Sequence, residues 1–457
     1  MKSLKILILL ISFLVIILCI LAFFYTNYFS SIFLTLLYFF ILVSPILLMR
    51  GNNSFADPLV IYVIFNCTFG LQFVLPFILV DSQSVDTVRM FNSYNVRALV
   101  EKLLVLKIFS VSVFYFFLFI FQFNFVAEKH RFHPVKISWI AFFLIIQGFL
   151  AFLVIVFYAE SILDLLNQRQ LKRFDRIYHD IGRHWFVAVQ LSLVGFYLLI
   201  LESPKRSINP FFNLLFLLFV AMNFIISGNR TSIVLAYLGL YGAWMLAQKR
   251  LVNYRLLIVG FLFLILLLVG NLIRESGTTE VNGNRAGVFE SLVGSLQSLV
   301  DLRVARVISG SGSLGVLAHL ENGGAYLYGE SFESVLFAPI PSSLIGEKPL
   351  AGGRMAAYVL ADRLDTAWPI EPEVEQYWNF GYLGVILAAI IKATIFRWVY
   401  VLVRRQPHNV AVLLISLTVG TQLQIASDAL YKVLQSLIPI FAIYLYIQIR
   451  SRSVRLE

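Results

Sequence analysis

Acidic and aromatic side chains gather just before one of the apolar runs of the sequence. Glu371 and Glu375 are four residues apart, which places both on one face of a helix, and Tyr377 and Trp378 follow at once. At a wet membrane boundary, such rings can stack on a sugar while carboxylates bind its hydroxyls, and Glu375 there could act as a general base. A structural interpretation also fits, because Pro372 and acids in the first turn favour the start of any helix.

Arginines form the second group of candidates, because a guanidinium stays charged and binds phosphate through two parallel hydrogen bonds. Arg230 lies in the turn SGNRTS, beside Thr231 and Ser232, where one apolar run ends and the next begins. The unpaired N–H groups of a helix start would add to its attraction for an anion. The alternative is that Arg230 only anchors the helix at the membrane boundary.

The other candidate arginines lie in two long segments between apolar runs. Segment 159–184 has the spacing of an amphipathic helix on a membrane surface, and 288–308 has helical periodicity. Each could bind an anion, or each could simply pack on the membrane with its basic stripe facing lipid headgroups. The substrate-binding candidates are Arg169, Arg173, Arg176, Arg274, Arg303 and Arg306, and Arg285 is a further catalytic candidate.

His319 is the alternative candidate for the general base, although a lone histidine is more often structural or solvated. No metal and no other cofactor is expected. Cys19 and Cys67 fall inside apolar runs, and the sequence has no Asp-x-Asp pair or His/Cys cluster with metal-ligand spacing. It also lacks a GxxxxGK[ST] stretch, which argues against an ATP-driven pump.

These residues must be positioned by a membrane protein. Of its 457 residues, 60% are hydrophobic and 13% are charged, whereas globular proteins have about 45–50% and about 25%. The apolar residues form runs long enough to cross a bilayer, which excludes a cytoplasmic enzyme, a secreted disulfide scaffold and a disordered chain. We predict an all-α polytopic protein with twelve transmembrane helices at 4–25, 29–49, 58–80, 99–121, 138–158, 185–202, 210–227, 231–247, 256–273, 379–403, 410–427 and 433–449.

Basic residues orient the predicted helices. With the N-terminus inside, Lys/Arg clusters fall in every second connection, as the positive-inside rule requires, so both termini are predicted to be cytoplasmic. These loops also explain the net charge of +11 without nucleic-acid binding. The predicted organisation is 1–273 with helices one to nine and a short arginine-rich outer loop at 159–184, a large outer loop at 274–378, and 379–457 with helices ten to twelve. A loop as long as 274–378 is usually functional.

The motifs at these places resemble those of a known family. SGNRT at an outer turn, PIPSSLIGEKP at 339–349 and EVEQYWNFGYLG at 373–384 are similar to motifs of bacterial O-antigen polymerases, the Wzy family of oligosaccharide repeat-unit polymerases. The resemblance implies a fold like that of C-type glycosyltransferases, with a helical periplasmic loop. It also matches Arg230 to the arginine of the turn motif and Glu375 to the acid before the NFG stretch.

The resemblance implies a metal-independent glycosyltransferase of lipopolysaccharide or polysaccharide biosynthesis. Such enzymes move a growing glycan from undecaprenyl diphosphate onto a hydroxyl of a new lipid-linked repeat unit, at the periplasmic face of the inner membrane. Arginines would stabilise the leaving diphosphate. The implied partners are undecaprenyl-diphosphate-linked glycans as donor and acceptor, membrane lipids and a chain-length regulator protein, without nucleic acid.

Two other functions stay open. An O-antigen ligase would transfer the finished glycan. At the corresponding place in the chain, the related ligases have what looks like a histidine-containing motif before a similar aromatic–glycine run, and this sequence has no histidine there. A flippase for lipid-linked glycans would need charged residues along its membrane helices. The charges within the predicted spans are few and are expected to lie near helix ends: Glu101, Lys102, Lys107, Lys392 and Arg397.

Overall fold

The computed structural model of the protein describes residues 29–48, 57–66, 96–120, 137–159, 184–227, 230–248, 312–337, 349–362, 364, 367–368 and 370–453. Within these ranges the regular structure is helical, and no strand occurs. The helices are α1 (Phe29–Leu48), α2 (58–66), α3 (Val96–Ile120), α4 (Ser138–Tyr158), α5 (His184–Glu202), α6 (Pro210–Ser227), α7 (Arg230–Gln248), α8 (Gly312–Glu321), α9 (Glu330–Phe337), α10 (Gly352–Ala361), α11 (Pro372–Arg405), α12 (Val410–Gln422) and α13 (Ser427–Ser453), with a 3-10 helix at Pro204–Ile208. The predicted all-α class is confirmed for the described residues.

Among the described residues, four helices are long and apolar enough to cross a membrane: Ala98–Ile120 in α3, Ser138–Tyr158 in α4, Trp185–Glu202 in α5 and Pro372–Arg405 in α11. Shorter apolar stretches lie in α1, α6, α12 and α13. Each of these helices overlaps a predicted span. The predicted spans 4–25 and 256–273 lie outside the described residues, so the number twelve stays a prediction.

Large apolar side chains remain exposed along the long helices. In α4, Phe142, Ile146 and Phe157 are each more than half exposed, and Leu383 and Leu387 continue the pattern on α11. In water such a surface would favour aggregation, whereas in a bilayer it would contact lipid. The exposure pattern and the helix lengths together indicate a membrane protein.

The described helices cluster into two compact units. One unit contains α4 to α7, the first part of α12 and the last part of α13. Here α4 and α5 approach closely because both carry glycine at the contact. A Cβ at Gly148 would lie 2.5 Å from the Cβ of Ser192, and one at Gly195 would lie 2.6 Å from the carbonyl oxygen of Ala141. Small residues of this kind allow membrane helices to pack closely.

The other unit contains α1 to α3, α8 to α11, the end of α12 and the beginning of α13. Its core includes a helix from the long loop 274–378, because Leu317 of α8 belongs to one buried cluster with Leu99 and Leu103 of α3 and with Trp378 of α11. Helices α8 and α10 of the long loop therefore share a core with α3 and α11. This unit also carries the carboxylates and aromatic rings that the sequence singled out.

Candidate functional site

Helix α11 contains a sharp turn near its start. The backbone leaves the helical conformation at Phe380 and Gly381, and Gly381 has φ +60° and ψ −149°, a combination largely restricted to glycine. A Cβ at Gly384 would collide with the carbonyl oxygen of Gln376, although residues eight apart in a straight helix are separated by about 12 Å. The segment 372–379 therefore folds back on the following part of α11.

Glu375 is enclosed by this turn and by three other segments. The residue is 2% exposed. The Ser331 hydroxyl donates to Oε1 at 2.7 Å, and the Ser427 N–H lies 3.2 Å from each carboxylate oxygen. A Cβ at Gly352 would lie 2.6 Å from the carboxylate carbon. The expected position of Glu375 at a wet boundary is wrong, because the starts of α9, α10 and α13 cover it.

Asn379, one helical turn after Glu375, extends the same network. Its amide nitrogen donates to Ser331 Oγ at 2.9 Å, and its side-chain oxygen accepts the N–H of Gly329 at 2.9 Å. Its backbone carbonyl accepts the N–H of Tyr328 at 3.1 Å. Asn379 is fully buried, and it fixes the connection between α8 and α9 against the turn of α11.

Trp378 does not lie where a sugar-stacking ring was expected. Its side chain is 0% exposed, and its Nε1–H donates to the carbonyl oxygen of Ala325 at 3.2 Å. The ring of His319 packs edge-on against it, with the centroids 6.5 Å apart, and a Cβ at Gly324 would collide with the imidazole. Trp378 is a core residue because His319 of α8 packs against its ring and the 325–328 connection covers its polar edge. His319 is packed among the same residues.

Tyr377, the neighbour of Trp378, remains partly exposed. Its ring meets the rings of Tyr326 and Tyr382 edge-on, with centroid distances of 6.3 and 5.2 Å. The Nζ of Lys102 lies 5.6 Å from the centre of the Tyr377 ring. Of the two predicted aromatic ligands of a sugar, Tyr377 is therefore the one that a ligand could reach.

Charged side chains lie in the middle of two apolar helices. Lys107 of α3 is buried, and its Nζ is 2.9 Å from Oε2 of Glu371 and 3.9 Å from Oε2 of Glu373. The Nζ of Lys392 is 4.1 Å from the centre of the Tyr62 ring, within electrostatic reach of Glu373. The expectation that Lys107 and Lys392 lie near helix ends is wrong. Lys107 lies eleven residues after the start of α3, and Lys392 lies eleven residues after the turn of α11.

The predicted arginine site is described only in small part. Arg230 is the first residue of α7, and Thr231 and Ser232 follow it in the first turn. The remaining arginine candidates lie outside the described residues: Arg169, Arg173, Arg176, Arg274, Arg285, Arg303 and Arg306. Within the described ranges, no group of three or more His, Cys, Asp or Glu side chains could hold a metal ion.

Sequence reasoning missed the residues that enclose Glu375. Asn379 was visible only as part of the NFG stretch, and the Gly352–Gly353 pair and Ser427 were not singled out. Ser331 is 44 residues from Glu375 in the chain, and Gly352 is 75 residues from Ser427, whose Oγ accepts its N–H at 2.8 Å. No local pattern connects residues so far apart.

Comparisons with known proteins do not identify the chain. No protein-family model, curated protein or solved structure matches it.

Proposed function

We propose that the protein polymerises undecaprenyl-diphosphate-linked oligosaccharide repeat units into O-antigen or a similar surface polysaccharide. In this proposal it is a twelve-helix protein of the bacterial inner membrane with a fold like that of C-type glycosyltransferases. Both termini lie in the cytoplasm, and the long loop 274–378 lies in the periplasm with the active site.

The turn formed by EVEQYWNFGYLG supports this proposal most. This segment carries the resemblance to O-antigen polymerases, and it is also the part of the described chain to which three loop helices and α13 attach. Glu375 binds the starts of α9 and α13, and Trp378 packs with α8. A site that joins a large loop to membrane helices suits a substrate with a lipid anchor and a water-soluble glycan.

The proposed reaction breaks a glycosyl–phosphate bond, so the donor itself supplies the energy. The new bond joins the anomeric carbon of the donor glycan to a hydroxyl oxygen of the acceptor sugar. The diphosphate leaves with the electron pair of the broken glycosyl–phosphate bond. Arg230, Arg274 and Arg285 are the proposed groups that stabilise the leaving diphosphate, because arginines can do so without a metal. A carboxylate is proposed to take the proton of the attacking hydroxyl.

The enclosure of Glu375 changes which carboxylate suits that step best. With 2% exposure and donors on both oxygens, Glu375 is built to position the turn. The side chain of Glu371 is 33% exposed, so an acceptor hydroxyl could reach it, and its Oε2 contacts Lys107 Nζ at 2.9 Å. Glu371 is therefore the proposed base, and Glu375, whose N–H donates to the carbonyl oxygen of Glu371 at 3.1 Å, is the positioning residue.

One observation favours the flippase as a second candidate. Lys107 and Lys392, which lie in the middle of α3 and α11, form a charged group with Glu371 and Glu373 at the start of α11. Intramembrane charges often mark transport pathways. These charges are largely paired with one another, which suits a structural role at least as well.

The decisive experiment supplies the purified full-length protein in lipid nanodiscs with a defined undecaprenyl-diphosphate-linked repeat unit. A polymerase should produce a ladder of lengthening lipid-linked glycans without any added nucleotide or metal. In a deletion strain, loss of a polymerase should leave lipopolysaccharide core with a single repeat, whereas loss of a ligase or a flippase should leave bare core. Absence of a ladder together with bare core would reject the proposal.

A further inference from the structure

Four tyrosines come together where the 325–329 connection meets the turn of α11. Their ring centroids form a chain of contacts, from Tyr328 to Tyr326 at 6.3 Å, from Tyr326 to Tyr377 at 6.3 Å and from Tyr377 to Tyr382 at 5.2 Å. We refer to these four residues as the tyrosine cluster. Phe109 of α3 closes one side of it, 5.4 Å from Tyr382.

The tyrosine cluster is open on its outer face. Tyr328 is 76% exposed, Tyr382 is 47% exposed and Tyr326 is 38% exposed. Exposed aromatic rings of this number cost free energy in water unless something covers them. Core packing does not explain the exposed tyrosine rings, because the ring that fills the core at this place is the neighbouring Trp378, which is 0% exposed.

Tyr328 is also held in a backbone conformation that a tyrosine rarely adopts. Its φ is +48°, in the left-handed region, which is unusual and strained for a bulky residue. Hydrogen bonds from the Tyr328 and Gly329 N–H groups to Asn379 impose this conformation. The result is a tyrosine ring that is presented outward at the expense of local strain, as happens at ligand-binding positions.

The charges beside the tyrosine cluster indicate a ligand without strong charge. Lys102 lies 5.6 Å from the Tyr377 ring centre, and its Nζ is paired with Glu321 Oε1 at 3.1 Å. A paired lysine leaves little net field for an anionic lipid headgroup or a nucleic acid. Aromatic faces, phenol hydroxyls and one neutralised ion pair match a saccharide, whose C–H faces stack on rings and whose hydroxyls accept and donate hydrogen bonds.

We propose that Tyr326, Tyr328, Tyr377 and Tyr382 form a saccharide-binding platform that holds the sugars of the glycan beside the reacting end. This proposal rests on the proposed function for the identity of the glycan, but its own claim is binding. Rings that hold non-reacting sugars would position the acceptor and set how long the chain stays bound between additions.

The test measures binding of a free oligosaccharide to the full chain in lipid nanodiscs. The probe is the repeat-unit oligosaccharide released by mild acid from the source strain's polymer, and the readout is saturation-transfer NMR. Tyr328→Ala is the main variant, because a ring that is 76% exposed can be removed without opening the core. The matched control is Tyr358→Ala, a tyrosine that is 45% exposed on α10.

We expect Tyr328→Ala to weaken binding by about five- to tenfold, the loss of one stacked ring, while Tyr328→Phe and Tyr358→Ala bind like the wild type. Wild-type binding in Tyr328→Ala, or no saturation transfer in the wild type, would overturn the platform. Unchanged binding in Tyr328→Ala with weaker retention of the protein in vesicles would instead make the tyrosine cluster a membrane-interface belt.

The outcomes for the platform and for the polymerase are separate. Oligosaccharide binding that depends on Tyr328 but produces no ladder would reject the polymerase and keep the platform. A normal ladder with binding unchanged in Tyr328→Ala would reject the platform and keep the polymerase.

Discussion

Glu375 brings together donors from distant parts of the chain. The groups that face the Glu375 carboxylate oxygens are both donors, the Ser331 hydroxyl and the Ser427 N–H, and a carboxylate oxygen accepts hydrogen bonds. Because these donors satisfy its oxygens, the Glu375 carboxyl group can be buried at 2% exposure without needing a cationic partner. Its main effect is to hold α9 and α13 against the turn of α11.

A pair of variants separates this positioning role from proton transfer. Glu375→Gln places an NH2 group against N–H and O–H donors, so we expect a loss of about 1–3 kcal/mol of stability and a parallel loss of the ladder. Ser331→Ala removes one donor and should cost about 0.5–1.5 kcal/mol with a smaller loss of activity. Thermal unfolding and turnover per folded molecule are the measurements. If Glu375→Gln melted like the wild type but turned over about 10²–10⁴-fold more slowly, Glu375 would be the base after all.

Asp57 supplies a pH-dependent contribution at the start of α2. Its Oδ1 accepts the N–H of Leu59 at 3.0 Å, as expected of a helix N-cap before a proline. Burial raises the pKa of Asp57 to about 6, and the Leu59 N–H and the charges of Arg404 and Arg397 offset that rise only partly. Because the pKa is raised, the protonated carboxyl stabilises the fold at low pH, and this contribution is lost as the pH rises through about 6.

Asp57→Asn should remove this pH dependence and keep the cap, because asparagine is an equally good N-cap. At pH 7.5 we expect the variant to be more stable than the wild type by up to about 3 kcal/mol, from about 1.4 kcal/mol per pKa unit. At pH 5 the difference should shrink. Thermal unfolding of both proteins in detergent at the two pH values measures this. Equal differences at both values would show that Asp57 does not titrate in this range.

Tyr377 and Trp378 show the limit of sequence reasoning at the residue scale. As adjacent aromatic residues before an apolar run they are equivalent in sequence, and both were predicted to bind sugar. The fold separates them, because α8 covers Trp378 and leaves Tyr377 partly open. Which of two neighbours is buried depends on a helix more than fifty residues away in the chain, as the Ala325–Trp378 hydrogen bond, with a separation of 53, illustrates.

At the scale of elements, apolar runs predicted most described helices, but they did not reveal the fold-back in α11. Continuous apolar sequence around Gly381 has the same pattern in a straight helix and in a folded one. The difference comes from one glycine with positive φ and from Gly384, which lets the carbonyl of Gln376 approach. Such contacts are tertiary and have no periodicity in sequence.

Gly384→Ala should disturb this turn. Its Cβ would collide with backbone at Gln376, and backbone cannot move aside as a flexible side chain can, so we expect a loss of about 1–3 kcal/mol and a large loss of polymerisation. Leu387→Ala is the control, because that side chain is 47% exposed on the same helix. The ladder assay and thermal unfolding measure both variants. Normal polymerisation by Gly384→Ala would show that the fold-back is not needed for activity.

The ion pairs of α3 offer a second comparison at this scale. Lys107 is buried beside Glu371, whereas the Lys102–Glu321 pair leaves side chains 26% and 41% exposed. Lys107→Met would leave two carboxylates without their cation, so we expect a loss of about 3 kcal/mol, the lower end for a broken buried pair. Lys102→Met should cost about 1 kcal/mol or less. Similar melting temperatures for the two variants would contradict a structural role for the buried pair.

At the scale of the whole molecule, contacts between two described helices show whether the helices run parallel or antiparallel. Any membrane topology of the protein must agree with these directions. Phe109 and Phe114 of α3 contact Tyr382 and Phe396 of α11 in the same order, so these helices run parallel. Tyr62 of α2 contacts Phe396 while Asp57 lies in the field of Arg404, so α2 and α11 run antiparallel. Gly148 and Gly195 show that α4 and α5 are antiparallel as well.

In the predicted order of spans, helices an even number of spans apart run in the same direction and helices an odd number apart run in opposite directions. The fourth and tenth predicted spans cross in the same sense and the third in the opposite sense, while the fifth and sixth alternate. Charge bias carries this information because each Lys/Arg cluster is costly to translocate. The expected directions follow from counting the apolar runs between two helices, whereas the assembly of the loop helices on the turn of α11 has no such pattern in the sequence.

The last prediction concerns the sides of the membrane. Reporter fusions after Gly283 and after Arg405 should give opposite signals, with Gly283 outside and Arg405 inside, because α11 is the single predicted span between them and basic residues Arg404 and Arg405 follow it. A fusion after Arg250, which follows α7, should match Arg405 and serves as the control. A phosphatase reporter that is active only outside the cytoplasm and a fluorescent reporter that matures only inside would measure the two sides independently. Cytoplasmic signals at both Gly283 and Arg405 would place the long loop and its tyrosine cluster in the cytoplasm, where a polymerase of exported glycans could not act.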